Sequence, residues 1–265
     1  MSEFSTSTAV HRIDATHWDA PVAPGWDIAG NANGGYLLAL AARGMAEASG
    51  RPDPVTITAH YLSPAQEGPA VLDAAVVRSG KRFATVSASL TAGDRRLLQV
   101  LGTFGDLSVS GDGPERVEAA PPDLPVPDDC VPRRADEGLV LPFLDRVELR
   151  LHPDDARFQQ GEPSGEPRVR GWFRLRHGEQ LDTLALLVAI DAFPPTAFNA
   201  RLPVAWTPTV ELTAHVRARP APGWLACAFT TRFVTGGFLE EDGEVWDATG
   251  RLVAQSRQLA LVPRG

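Results

Sequence analysis

The chain has 265 residues, 43% apolar and 22% charged, an ordinary balance for a globular protein of one or two domains. Its longest apolar run, LALLVAI at 184–190, is too short to cross a bilayer, and the first residues, MSEFSTSTAV, lack the basic and apolar regions of an export signal, so the sequence predicts a cytoplasmic protein with no membrane partner. A net charge of −8 does not suit a nucleic-acid surface, and two cysteines, Cys130 and Cys227, outside any CxxC pair predict neither a disulfide framework nor a metal site.

In chain order, residues 8–14 (TAVHRID) read as a strand. Residues 32–49 (ANGGYLLALAARGMAEAS) have the helical spacing of apolar and small side chains and close with Gly50 and Pro52. From 57 onward, alternating strands separated by Pro/Gly, Gly-marked and AGD turns predict a four-stranded meander. The stretch 108–138, rich in Pro, Gly and Asp and without periodicity, reads as an extended linker between an N-terminal unit (1–107) and a C-terminal unit (139–265). Further strands are predicted at 144–151 and 168–176. An apolar helix then covers 181–193, stopped by Pro194-Pro195, and so apolar a helix must be buried nearly all round.

The second meander repeats the first. ITAH at 57–60 returns as LTAH at 212–215, and the match runs on to the end of each meander with almost no gaps. Each half therefore supplies one helix ahead of one twisted antiparallel sheet that can wrap around it, an α+β architecture. Two such units in one chain pair most simply edge to edge, which removes exposed strand edges and makes a pseudo-dimer. Whether that pseudo-dimer pairs again into a homo-oligomer stays open.

Positions where the copies differ in polarity point to chemistry. On LVAQSRQLALV, residues 252, 254, 256, 258, 260 and 262 share one face, small or apolar except for Gln258, whose counterpart in the first copy is Gly102. An inward amide must find partners or costs about 1–3 kcal/mol. Asp191 ends the apolar helix near its negative pole, where a carboxylate is disfavoured, and its counterpart is Gly35 or Tyr36. It is either ion-paired or functional. Thr209 opens the strand that TAH continues; strict alternation puts it with Glu211, Thr213 and His215 on the face opposite the core, where an ordinary strand residue is the simpler reading.

With these residues in place the chain resembles the double-hotdog acyl-CoA thioesterases, and is similar to the medium-chain acyl-CoA thioesterase II group. The resemblance covers nearly the whole length: helix with Gly-Gly, meander, linker, helix with Asp, meander. It implies hydrolysis of an acyl-CoA or related acyl thioester, without cofactor or metal. It also implies that Asp191, Thr209 and Gln258 hold the hydrolytic water, since the family uses an Asp, a Thr or Ser, and a Gln at the matching positions. Gly250-Arg-Leu-Val-Ala254 precedes the Gln much as in the family. The family's Asp-His-Ser-Met-Trp-Phe stretch is replaced by Glu211-Leu-Thr-Ala-His-Val216, and the one-residue gap this needs makes Thr213 a rival for the hydroxyl.

Backbone amides at Gly34-Gly35, opening the first helix, are candidates to bind the substrate carbonyl, with close helix–sheet packing as the competing explanation. No GxSxG elbow, GxGxxG or GxxxxGK[ST] loop occurs, and the six His residues are scattered. A hydratase of the same fold would carry a His five residues after its Asp, where this chain has Thr196. A non-catalytic acyl-thioester or lipid-binding protein would keep the pocket and need no polar triad.

Overall fold

The computed structural model describes residues 3–109, 116–134 and 141–263. Two parts of the predicted linker, 110–115 and 135–138, lie outside the described residues.

The first helix, α1, is Glu3–Ser7, and the predicted strand at 8–14 is reduced to the pair His11–Arg12. Phe4 of α1 is drawn into an aromatic cluster with Trp26, which stacks on Tyr36 at 4.9 Å, so the surrounding segment packs rather than extends. Helix α2, Gly34–Ser49, follows the sequence closely. The Asn33 side chain caps it by accepting from the Tyr36 N–H, and Gly50 ends it in the left-handed conformation at φ 64°. Leu37, Leu38, Leu40 and Met45 are all buried, because the strands Asp53–Tyr61, Val71–Ser79, Ala84–Ala92 and Arg95–Gly105 wrap around the helix.

The second unit repeats this plan with Val147–Leu151, Arg168–Leu175, Thr209–Val216, Leu225–Thr230, Phe238–Trp246 and Leu252–Leu261. Its helix, α3, is only Ala185–Ala189, much shorter than the predicted 181–193. Upstream, the Asp182 carboxylate accepts from the Ala185 N–H and the Thr183 hydroxyl is tied to Asp53, which fixes where the helix can start. Downstream, Pro194 biases Phe193 away from the helical region.

The two units join edge to edge, as expected, through Asp53–Tyr61 and Thr209–Val216, giving one sheet that counts 14 strands among the described residues. Thr58 pairs with Thr213, and their hydroxyls meet at 2.8 Å. These are the same position of the two TAH copies. Equivalent residues facing each other mark a pseudo-twofold axis between them, the internal form of an isologous interface. The repeated motif is thus the seam of the molecule.

The segment before the second unit is less independent than a linker. Val131–Pro132 forms a short strand against Arg150–Leu151, Cys130 is buried, and the Trp172 indole donates to the Pro125 carbonyl at 2.8 Å.

Candidate active site

A cavity of about 540 Å³ lies between the two units. Leu37, Phe143, Leu149, Ile190, Phe193 and Phe229 make much of its apolar wall, and Asn33, Gly34, Tyr61, Asp191, Thr209, Glu241 and Gln258 supply polar atoms. The wall draws on both halves of the chain.

Asp191 follows the end of α3, and its carboxylate is answered by the other helix. Oδ2 accepts from the Gly35 N–H at 2.7 Å and from Asn33 Nδ2 at 3.0 Å, while the same Asn33 amide donates to the Asp191 carbonyl at 2.8 Å. The negative pole of its own helix disfavours the charge, and the positive pole of α2 offsets that. Burial pushes the Asp191 carboxyl up to about 6, against the lowering effect of the Gly35, Asn33 and Gly34 donors. It is therefore mainly ionised at neutral pH, yet close enough to 7 to exchange a proton.

Gly35 makes this possible by its size. A Cβ there would stand 2.4 Å from the Leu187 carbonyl and 2.9 Å from Asp191 Cβ, so the two helices approach only through glycine. This corrects one expectation: the Gly35 N–H is committed to Asp191 and is not left to polarise a substrate carbonyl, and Gly35 does not line the cavity, whereas Gly34 does.

Thr209 and Gln258 meet, the hydroxyl donating to Oε1 at 3.3 Å. Strict alternation assigns Thr209 to the outer face; a β-bulge reverses it. The register slips by one residue between Thr209 and Glu211, so Thr209 pairs with Ala260 while Leu212 pairs with Gln258, and Thr209 joins the inward face. Thr213 points elsewhere, toward Glu211 and Thr58, and is not part of the cavity wall.

Three polar residues of the site escaped the sequence reading. Asn33 is recognisable as a helix cap in ANGGY, although its bond to a residue 158 positions away is not. Tyr61 donates to the Gly34 carbonyl at 3.0 Å. Burial, reinforced by Asp191, drives its phenol well above the usual range, so it stays neutral. Glu241 is buried directly across from Gln258. Its Oε1 accepts from Gln258 Nε2 at 3.3 Å and its Oε2 from the Thr196 N–H at 2.9 Å. Burial pushes its carboxyl up to about 7, with Asp191 and Glu240 adding to the rise and the Thr196 bonds opposing it. Thr196, at the position where a hydratase would carry its His, is fully buried and bonds Glu241 and Thr231.

A buried carboxylate near neutrality, a hydroxyl–amide pair and an apolar cavity are the parts needed to aim a water at an acyl group.

The chain is similar to known proteins along its length. A sequence profile described as the acyl-CoA thioesterase N-terminal domain matches residues 22–105, and one described as the acyl-CoA thioesterase C-terminal domain matches residues 127–262. A Thermobifida fusca crystal structure, provisionally assigned as a thioesterase II, is 33% identical, with a TM-score of 0.89 over 100% of this chain and 98% of its own. A hot dog fold protein of unknown function from Alicyclobacillus acidocaldarius is 22% identical, with a TM-score of 0.85 over 100% of this chain and 99% of its own. An uncharacterized protein of Mycobacterium tuberculosis is 29% identical over 263 residues, 90% of this chain and 88% of its own.

Proposed function

The chain belongs to the acyl-CoA thioesterase family, as a double hotdog, and on that premise we propose that it hydrolyses acyl-CoA thioesters with a water held by Asp191, Thr209 and Gln258. The observation that carries this reading is the Asp191 carboxylate, offered to the cavity by one unit and fixed there by the helix N-terminus of the other.

Asp191 accepts the proton of the water as it attacks the thioester carbon. A carboxylate has about four lone-pair sites, and the bonds from Gly35 and Asn33 leave room for that water. Gln258 and Thr209, already bonded to each other, orient it from the facing strand. The tetrahedral adduct then collapses, the C–S bond breaks, the coenzyme A thiolate leaves and takes up the proton that Asp191 holds, and the acid product departs along the apolar wall. That wall receives the acyl chain, while the charged phosphates of coenzyme A stay at the surface.

The test is release of free thiol from a panel of acyl-CoAs, short to long and branched, by the wild type and Asp191→Asn. Hydrolysis that peaks at one chain length and falls by about 10²-fold or more in the variant is the expected outcome. Full turnover by Asp191→Asn ends the mechanism, and no hydrolysis of any acyl-CoA by the wild type ends the assignment of coenzyme A esters as substrates.

A further inference from the structure

We propose that Glu241 is the positioning residue for Gln258: its carboxylate fixes the Gln258 amide with Nε2 toward itself and Oε1 toward Thr209. The proposal rests on the role given to Gln258 above.

Two oxygens of Glu241 meet two donors. Oε2 takes the Thr196 N–H and Oε1 takes Gln258 Nε2. The first donor is backbone and cannot be turned, so the carboxylate itself is anchored. A carboxylate only accepts, so the amide facing it must present its nitrogen. Oε1 of Gln258 is thereby directed to the hydroxyl that Thr209 donates. The chain of bonds runs in one direction, from Thr209 through Gln258 to Glu241, and its polarity is set at the Glu241 end. The two strands also hold these residues in direct register, with Glu241 opposite Gln258.

The first unit shows that the fold does not require such a pair. Leu212 pairs with Gln258 as Ile57 pairs with Gly102, and Glu241 pairs with Gln258 as Val86 pairs with Gly102. A buried valine therefore stands where the second unit has its glutamate. Burying a carboxylate there costs free energy that a valine does not, and it is repaid only if the charge has work to do at the site.

Replacement by glutamine is not conservative under this proposal. A glutamine at 241 has one acceptor oxygen, which the fixed Thr196 N–H claims, so its NH2 faces the Gln258 nitrogen and the Gln258 amide must rotate. The experiment is steady-state kinetics at pH 8 with the best acyl-CoA of the panel, on Glu241→Gln, Glu241→Val and Gln258→Ala, and on each Glu241 variant combined with Gln258→Ala. The valine variant, copied from the first unit, keeps the test valid where the glutamine variant does not fold. Expected is a loss of about tenfold or more in kcat, with KM within about twofold, for either Glu241 variant. Adding either one to Gln258→Ala costs nothing further, because the residue acts through that amide. Unchanged kcat in both Glu241 variants overturns the proposal, as does a loss that multiplies with that of Gln258→Ala. Wild-type kcat in Gln258→Ala alone overturns the reading of Gln258 beneath it as well, so the two failures are told apart.

Discussion

The two units share a plan, and four positions of the second carry polar groups that the first lacks. Where the second has Asp191 after its helix, the first has the Gly34-Gly35-Tyr36 start of α2; where the second has Thr209, Glu241 and Gln258, the first has Pro54, Val86 and Gly102. Even the irregularity is shared, since the register slips between Pro54 and Thr56 just as between Thr209 and Glu211. At Gly102 the space is filled, and a Cβ would stand 3.0 Å from the Phe104 ring and 3.2 Å from Ile57. At Gln258 the same location opens on the cavity. The comparison separates what the fold needs, the bulge and the seam, from what chemistry needs, the polar set on one side.

Glycine substitutions break the comparison most sharply. Gly35→Ala forces a Cβ against the Leu187 carbonyl, which backbone cannot yield, and should cost about 1–3 kcal/mol in a denaturant melt together with about 10²-fold in kcat as Asp191 is displaced. Gly102→Ala, in the first unit, meets mainly side chains and should leave kcat unchanged. Equal kinetic damage from both would show that kcat follows the packing of the first unit in general and not the contact of Gly35 with Asp191.

Acidity is the next test. Turnover requires ionised Asp191, so kcat/KM should climb about tenfold per pH unit toward about 6, gain about tenfold more in total as Glu241 ionises around 7, and level above that. The folded carboxyl is raised above its unfolded value of 3.8, so the stability it contributes is complete below 3.8 and lost as pH rises through about 6, on the order of 3 kcal/mol. Denaturant melts across pH 4 to 8 should show this decline, and Asp191→Asn should remove that portion of it, leaving the portion from Glu241 nearer pH 7.

The smallest effect separates two hydroxyls. Thr209→Ala should lower kcat about tenfold, whereas Thr213→Ala, whose hydroxyl belongs to the seam, should leave kcat intact and cost about 1 kcal/mol of stability. The reverse result would return the hydroxyl role to Thr213.

Much of this was readable in the residues. The repeat announced the pseudo-dimer, and alternation on the last strand found Gln258, because a lone amide among Ala, Ser and Val stands out. The same alternation places Glu241 with Leu239, Gly243 and Val245, but Glu240-Glu241-Asp242 looks like a solvated charge run and conceals the one carboxylate that turns inward. Alternation alone puts Thr209 on the wrong face because the extra residue of its bulge, Val210, is an ordinary strand residue and neither Gly nor Pro. The length of α3 escaped for a third reason: an apolar run records burial, whereas Asp182 and Thr183 decide where the helix begins. What sequence could not supply was the partner of Asp191, since the Asn33 amide and the Gly35 N–H reach it from the far unit.

The seam at Thr58 and Thr213 has one more consequence. In a homodimer of single units, every residue appears twice, so a glycine that admits a neighbouring helix must also sit on the subunit that supplies the acid, and both helices must have one length. A covalent link lifts that requirement. It lets α2 span 16 residues and α3 only 5, and lets one unit carry the acid, the hydroxyl and the amide while the other carries the glycine and the helix start that hold the acid in place.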